Sequence, residues 1–371
     1  MSAASPEGIT YAASGVDTEA GDKAVELMKS AVARTHGPEV LGGVGAFAGL
    51  FDASALKSYE RPLLASSTDG VGTKIVIARA LDVHDTIGQD LVAMVVDDIV
   101  VCGAKPLVMT DYIACGRVVP ERIADIVRGI AVGCEMAGVA LVGGETAEHP
   151  GVMEPDDYDV AGAAIGVVEA SELLGPDRVR SGDVVVAMAS SGLHSNGYSL
   201  VRSVVAHAGW SLSTSLPELG RTVGEELLEP TRIYAKLCVS LAASTPGLRA
   251  FSHVTGGGLA ANLARVLPRG LAATVDRGAW DLPAVFSVVQ AAGSVPWNDL
   301  ESTLNMGIGM VAVVSPSDAD SLIAASGAAG VPAWVLGSVV TDPALPVGPD
   351  VVRGAKGVDG GSVLMSGTYR A

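Results

Sequence analysis

The segment PLLASSTDGVGTKIVIARAL, residues 62–81, shows the alternation of strand, turn and helix that characterises the first half of the chain. Its apolar beginning is typical of a buried strand, DGVGTK of a glycine turn, and KIVIARAL of a helix. A helical pattern precedes it at residues 19–33. Further strands are predicted at PLVMTDYIA, VALVGG and YDVAGAAIGVV, so the first half is predicted to be mixed α/β.

Turn formers and charges interrupt the apolar runs at residues 171–183, and the strand VVVAMASS follows at once. Strands and helices then alternate again. We therefore expect an α/β (mixed α+β) protein with two domains, residues 1–170 and 171–350, as the 371-residue length favours. Residues 351–371 lack clear periodicity, which predicts a loose tail.

The composition excludes several classes of protein. Hydrophobic residues make up 49% and charged residues 18%, which excludes a disordered chain. The net charge of −17 disfavours nucleic acid as a partner. Four scattered cysteines without a CxxC pair, no signal peptide and no membrane-spanning run lead us to expect a cytoplasmic protein with reduced thiols and no membrane contact.

The segment HDTIGQDLVAMVVDDIVVCG, residues 84–103, is apolar nearly all round and yet contains Asp90, Asp97 and Asp98. On a helix these carboxylates fall within an arc of roughly 100°. Buried like charges repel unless a cation or strong donors satisfy them, so a magnesium site is the simplest interpretation. The alternative is that one aspartate caps a loop while the others reach solvent.

Two further motifs carry polar groups beside glycines. In DGVGTK, glycines permit close backbone approach and Lys74 lies at a helix start, both suited to phosphate, although the motif taken alone is better explained as a structural turn. GGETAEHPG, residues 143–151, places Glu145, Glu148 and His149 on a glycine-hinged loop. It is either a metal or nucleotide contact or a solvated acidic turn.

Three motifs in the second half also combine glycines with polar groups. SSGLHSNGYSL, residues 190–200, places His194 in a turn, which favours proton transfer or substrate contact. HVTGGGLAANL, residues 253–263, is a glycine-rich helix start suited to a ribose phosphate. The glycines of NMGIGM, residues 305–310, indicate no more than a closely packed strand.

Over roughly residues 11–340 the chain resembles the phosphoribosylformylglycinamidine cyclo-ligase, or aminoimidazole ribonucleotide synthetase, family. The resemblance is carried by seven motifs in this order: DGVGTK, HDTIGQDLVAM, GGETAEHPG, DYDVAGAAIGVV, SSGLHSNGYSLVR, HVTGGG and NMGIGM. The resemblance implies that ATP drives ring closure of the small molecule formylglycinamidine ribonucleotide to aminoimidazole ribonucleotide in purine synthesis, with release of ADP and phosphate. It also implies Mg²⁺ and a homodimer in which the amino-terminal domains form a β-barrel and a second α/β domain closes the cleft.

The resemblance also implies roles for individual residues. Catalysis is expected from His194, Asp98 and Lys74, and magnesium binding from Asp69, Asp98 and Glu145. Nucleotide contacts are expected from Asp69, Gly70, Gly72, Thr73, Lys74, Lys29, Gly43, Gly45, Glu145, Thr146, Asn196, Gly256 and Gly257. Where the family helix reads Asn-Asp, this chain has Asp97-Asp98, which leaves the role of Asp97 open.

Other functions share parts of this pattern. Thiamin-monophosphate kinase has a comparable length, selenide dikinase usually needs an early cysteine whereas the first here is Cys102, and the related amidine synthetase is far longer. A non-catalytic nucleotide sensor would keep the glycine loops without needing the acids or His194. A dinucleotide dehydrogenase is excluded because no GxGxxG follows the first strand.

Overall fold

The computed structural model describes residues 11, 14–43, 45–354 and 360–370. Within them the helices are α1 (Thr18–Arg34), α2 (Ile75–Leu81), α3 (Ile87–Val100), α4 (Pro120–Ala137), α5 (Tyr198–His207), α6 (Val223–Leu227), α7 (Ala235–Ser244), α8 (Gly258–Arg265), α9 (Ala284–Gly293), α10 (Trp297–Glu301) and α11 (Ala319–Ala328).

The strands are β1 (Val40–Leu41), β2 (Leu50–Phe51), β3 (Pro62–Gly70), β4 (Lys105–Cys115), β5 (Ala140–Glu148), β6 (Tyr158–Glu169), β7 (Val184–Ala189), β8 (Ser215–Leu216), β9 (Arg221–Thr222), β10 (Leu248–His253), β11 (Leu271–Asp276), β12 (Ile308–Val314), β13 (Ala333–Thr341), β14 (Val351–Arg353) and β15 (Ser362–Ser366). The mixed α/β class predicted from the sequence is confirmed.

The first sheet has the strand order β3-β6-β4-β5. Its neighbours are antiparallel except for β4 and β5, which are parallel and are connected through α4, as a parallel pair requires. Helix α3 packs on β3 and β6, and α4 packs on both α3 and α1. Nearly every residue of α3 is buried, so its apolar circumference reflects a position at the centre of this layer.

The opposite face of the first sheet is open. Leu64 on β3, Tyr112 on β4 and Ile165 on β6 are 65%, 41% and 41% exposed. Because side chains alternate between the faces of a strand, these three residues point away from the layer of helices. These side chains give the open face an apolar centre.

The second sheet has the order β10-β12-β7-β13-β11-β15-β14. Strand β12 is buried along its whole length between β10 and β7. The chain passes from the first sheet to the second within residues 170–183, where the sequence predicts the domain boundary. The division at residue 170 itself stays a prediction.

The loose tail predicted after residue 350 is wrong for the residues that the structure describes. Strand β15 pairs in parallel with β11, and Val363 within it is fully buried. Tyr369 packs against Trp280 and Trp297, with ring centroids 5.4 Å from each. Strands of three to five residues are too short to show a two-residue period, which explains why the sequence pattern missed them.

None of the helices described here has the length and apolar character needed to cross a membrane.

Candidate active site between the two sheets

The turn that ends β3 meets a loop from the second half of the chain. Ser195 Oγ donates to the backbone oxygen of Val71 at 2.7 Å. One turn further on, Thr73 Oγ1 and Ser199 Oγ are 3.3 Å apart. The motifs DGVGTK and SSGLHSNGYSL, more than a hundred residues apart in the sequence, are therefore neighbours.

Lys74 lies beneath this contact and is fully buried. Its Nζ donates to Asp90 Oδ1 at 2.9 Å, to the backbone oxygen of His194 at 3.1 Å and to that of Glu229 at 2.6 Å. An ammonium group has three N–H donors, and all three are used inside the protein. The predicted contact of Lys74 with a phosphate, and with it a direct catalytic role, are therefore wrong.

Two of the three acids on α3 also accept hydrogen bonds from protein groups, although Asp90 Oδ2 has no partner among the described residues. Asp90 Oδ1 accepts from Lys74 and from the backbone N–H and hydroxyl of Thr231, at 2.8 and 2.5 Å. Both oxygens of Asp97 lie 3.1 Å from the backbone nitrogen of Tyr234, and burial raises the pKa of Asp97 to about 7. The prediction that the buried acids gather around a magnesium ion is wrong for these two, because Lys74 and Thr231 donate to Asp90 and the backbone of Tyr234 donates to Asp97.

Asp98 is different because its side chain is 43% exposed. Its Oδ1 lies 2.9 Å from Nδ1 of His253, which ends β10 and is buried. Burial alone lowers the pKa of His253, but the hydrogen bond to Asp98 and the charges of Asp97, Asp98 and Asp69 outweigh it and raise the pKa. Within the described chain His253 Nε2 has no hydrogen-bond partner, so this atom is free to bind or move a proton.

His194 is buried and has a φ of 64°, in the left-handed region that few residues other than glycine adopt. Burial, followed by the charges of His253, Lys74 and Arg232, holds its pKa well below the usual value. The neutral ring accepts from the backbone N–H of Ser191 at Nε2, 3.2 Å away, which leaves the proton on Nδ1. In the described part of the chain Nδ1 has no acceptor.

Asn196 connects the two glycine loops of the second half. Its Oδ1 accepts from the backbone N–H of Gly256 at 3.0 Å, and its Nδ2 lies 3.3 Å from Met94 Sδ on α3. This N–H of Gly256 is therefore already engaged. Gly257, which has a φ of 106° and precedes α8, keeps its predicted nucleotide contact as a prediction.

The predicted magnesium ligands Asp69 and Glu145 lie on opposite faces of the first sheet. Asp69 shares a row of paired residues with Gly162 and Asp111, whereas Glu145 shares the next row with Tyr112. Adjacent rows point to opposite faces. The predicted set of Asp69, Asp98 and Glu145 is therefore wrong as a single ligand group, and the residues that the structure describes hold no cluster of three or more metal-ligating side chains.

Glu148, in the same motif as Glu145, has a structural role. Its Oε1 accepts from the backbone N–H of Val118 and its Oε2 from that of Asp17, both at 2.6 Å. The carboxylate therefore fixes the chain just before α4 and α1. For this residue the acidic motif is neither a metal site nor a solvated turn.

The remaining predicted nucleotide contacts are only partly brought together. Gly70 and Gly72 belong to the turn beside Thr73, and Gly70 donates its N–H to Asp69 Oδ1 at 2.7 Å. Lys29 pairs with Glu26 on the surface of α1 at 2.6 Å. The others are Gly43 and Gly45, in the segment between β1 and β2, and Thr146, on β5. Contacts of Lys29, Gly43, Gly45 and Thr146 with a nucleotide stay predictions.

His253 is the functional residue that the sequence reasoning missed. The prediction for HVTGGG rests on its glycines, although the histidine begins the motif. A histidine at a strand end, directly before a glycine-rich turn, is the signal that would have identified it.

Comparison with known proteins agrees with this two-part architecture. A family model described as AIR synthase related protein, N-terminal domain, matches residues 51–168, and one described as AIR synthase related protein, C-terminal domain, matches residues 180–347. The fold and site therefore define a two-domain protein of the AIR synthase-related class.

Comparison with individual proteins identifies the family within this class. The phosphoribosylformylglycinamidine cyclo-ligase of Desulfitobacterium hafniense is 51% identical over 332 residues, covering 90% of this chain and 97% of that protein. The chain belongs to the phosphoribosylformylglycinamidine cyclo-ligase family, a family of enzymes, which confirms the resemblance drawn from the motifs.

Solved structures with low sequence identity share the fold. A thiamine-monophosphate kinase from Stenotrophomonas maltophilia has a TM-score of 0.66 at 18% identity and covers 93% of this chain and 97% of its own. A hydrogenase maturation protein HypE in complex with ATP has a TM-score of 0.54 at 18% identity, covering 82% of each chain. At this level of identity the likeness concerns the fold alone.

Proposed function

We propose that this enzyme cyclises formylglycinamidine ribonucleotide to aminoimidazole ribonucleotide, using ATP and releasing ADP and phosphate, as a step of purine synthesis. The observation that carries the proposal is the 51% identity, over 90% of the chain, to a protein named for this activity. The substrate is a small molecule, in keeping with the net charge of −17, which disfavours nucleic acid. A cytoplasmic location stays a prediction.

The chemistry needs an activated amide. An amide oxygen is a poor leaving group, so ATP phosphorylates the formyl oxygen to give an iminophosphate and ADP. The amidine nitrogen then attacks the same carbon, phosphate leaves with the former formyl oxygen, and the nitrogen loses a proton. Phosphoryl transfer depends mainly on positioning and charge stabilisation, whereas ring closure needs a group that accepts a proton.

The two histidines fit different parts of this sequence. His253 has a free Nε2 and is oriented through Nδ1 by Asp98, the arrangement of a general base. His194 is neutral and carries its free proton on Nδ1, so it is suited to donate a hydrogen bond to oxygen as negative charge develops there. Asp98 therefore acts through His253 rather than as the proton carrier itself.

Magnesium fits as an ion that arrives with the nucleotide. Mg²⁺ usually takes one or two carboxylates together with substrate phosphates and water, and does not need a complete set of protein ligands. The carboxylates of Asp98 and Asp69 are the candidate protein ligands. The negative charges of both raise the pKa of His253, so both carboxylates lie on its side of the site. When bound, the ion would neutralise charge on the phosphates.

A homodimer is proposed through the open face of the first sheet. Leu64, Tyr112 and Ile165 give this face an apolar centre that a second copy would bury. Glu145 lies on the same face, because it shares its row with Tyr112. A nucleotide bound near the dimer interface could therefore contact Glu145, even though Glu145 does not contact Asp98.

A single-turnover experiment tests the function. Purified enzyme, ATP and Mg²⁺ are mixed with or without formylglycinamidine ribonucleotide, and ADP and the cyclised product are measured together. The proposal expects one ADP for each product formed and almost no ADP without substrate. Phosphorylated substrate that never cyclises would instead identify a kinase, and nucleotide binding without turnover a sensor.

A further inference from the structure

The buried pair of Lys74 and Asp90 lies between the two halves of the molecule. Both side chains are fully buried, with Nζ and Oδ1 2.9 Å apart. Within the described residues, the other hydrogen bonds of the pair all reach the second half. Lys74 donates to the backbone oxygens of His194 and Glu229, and Asp90 accepts from the backbone and hydroxyl of Thr231.

This pair fixes the backbone at His194. The carbonyl of His194 accepts from Lys74, and the next residue, Ser195, donates to Val71 in the turn that precedes Lys74. The left-handed backbone at His194 persists only when its surroundings hold it. These contacts are part of those surroundings.

The ring of His194 is held from the other side by strand β12. A Cβ atom built on Gly309 would lie 2.4 Å from Cε1 of His194 and 2.2 Å from the hydroxyl of Tyr234. Only a glycine leaves room for the ring at this position, which gives the glycine in NMGIGM a specific purpose. The ring is therefore seated on β12, while its backbone is tied to the turn of residues 71–74.

We propose that Lys74 and Asp90, together with the hydrogen bond from Ser195 to Val71, form a positioning element that sets His194 relative to the turn of residues 71–74, where the nucleotide is expected. Lys74 thus serves catalysis through the backbone of His194 and not by touching a phosphate. The inference rests on the proposed function for its catalytic consequence. Its structural consequence, that the pair determines the environment of the His194 ring, is independent of that function.

The test uses variants that separate position from stability. Removing one partner leaves a buried unpaired charge, so Lys74→Met and Asp90→Asn alone are each expected to lower Tm strongly. The double variant K74M/D90N removes both charges and restores much of the stability, yet loses the hydrogen bond to His194. Ser195→Ala breaks the neighbouring contact with Val71 without touching any charge.

Ser203→Ala is the matched control. Ser203 Oγ donates to the backbone oxygen of Ser199 on the exposed side of α5. The substitution therefore removes a hydroxyl-to-backbone hydrogen bond, as Ser195→Ala does, but this bond does not involve the first half of the chain. The control is expected to keep wild-type turnover and Tm.

The proposal predicts that K74M/D90N and Ser195→Ala lower kcat by about 10-fold or more while the KM for ATP changes less than about threefold, because a small misplacement of a reacting group mainly affects the chemical step. If either variant folds and turns over like the wild type, the contact that it removes is only structural and the proposal is overturned. Should the double variant fail to fold, Ser195→Ala alone decides.

A second measurement does not depend on turnover. The imidazole nitrogens of His194, assigned by their loss in His194→Asn, are followed by NMR in the apo protein. The resonances are expected to shift in K74M/D90N and Ser195→Ala but not in Ser203→Ala, and unchanged resonances in both test variants would overturn the proposal. If the wild-type enzyme formed no product, only the proposed function would be contradicted, because the NMR measurement does not depend on turnover.

Discussion

Asp98 Oδ1 lies 2.9 Å from Nδ1 of His253, although the two residues are 155 positions apart in the sequence. The first comes from α3 and the second from the end of β10, so the pair forms only when the two sheets are assembled. A half-exposed carboxylate thereby orients a buried imidazole whose other nitrogen is free. This relationship gives an acid that is expected to hold a metal a second role, as the orienting partner of a base.

Replacing Asp98 with Asn is expected to lower the pKa of His253, because the carboxylate charge that stabilises the protonated ring is lost. The acid limb of the kcat/KM profile should move to lower pH, and kcat/KM should fall about 10- to 100-fold. More Mg²⁺ should be needed for half-maximal activity. A pH profile and an Mg²⁺ titration check this, and wild-type curves in both would remove Asp98 from the account.

Replacing His194 with Asn is expected to reduce turnover far more than nucleotide binding. Asn tolerates the left-handed backbone at this position better than Ala, so the variant removes the imidazole with less risk to the fold. We expect kcat to fall about 100-fold or more. Calorimetric titration with a non-hydrolysable ATP analogue should give a Kd near that of the wild type. Unchanged turnover would exclude the histidine from the mechanism.

Asp111 allows a prediction about stability and pH. It is buried beneath the first sheet, where only glycine at position 144 leaves room for its carboxyl group, and burial raises its pKa to about 7. The folded protein keeps this proton up to about pH 7, whereas the unfolded chain releases it near pH 4, so the residue costs stability as the pH rises between these values.

Asp111→Asn should therefore stabilise the protein at pH 8, by up to about 4 kcal/mol, and have little effect near pH 4. Urea unfolding at both pH values measures the difference. Asp22→Asn, at an exposed position on α1, serves as the control. An equal change in the free energy of unfolding at both pH values would show that the effect does not come from this proton.

The open face of the first sheet gives a prediction about assembly. Leu64→Asp places a charge at the centre of the proposed dimer surface and should shift the protein to monomers at micromolar concentration. Val152→Asp changes a side chain that is 82% exposed outside the first sheet and should leave the dimer intact. Sedimentation velocity distinguishes the two results. A monomeric wild type would refute the dimer, and a dimeric Leu64→Asp would place the interface elsewhere.

The sequence predicted the elements of this fold well where an apolar pattern extended over many residues. The helix that became α3 and the strands β3 to β7 follow from apolar patterns, and the family follows from the order of seven motifs. Local sequence patterns could not predict the hydrogen-bond donor of each buried acid. Asp97 accepts from Tyr234, which is 137 residues away in the sequence, and Asp90 accepts from Thr231, which is 141 residues away. No local pattern predicts which donor a buried carboxylate binds.

The same limit explains the errors at Lys74 and in the tail. A lysine after a glycine turn has the same appearance whether it binds a phosphate or a buried carboxylate, and only the packed structure distinguishes them. Strands β14 and β15 owe their position to pairing with each other and with β11 rather than to their own pattern. Tertiary contacts, not local propensity, determine both features.

The most direct measurement follows ADP and cyclised product together in a single turnover, with wild-type enzyme and with His253→Gln. For the wild type we expect equal amounts of both, and only when formylglycinamidine ribonucleotide is present. For the variant we expect phosphorylated substrate to accumulate because proton removal is impaired. ADP release by the wild type without substrate would contradict the proposed function, and a variant that cyclises at the wild-type rate would contradict the assignment of His253 as the base.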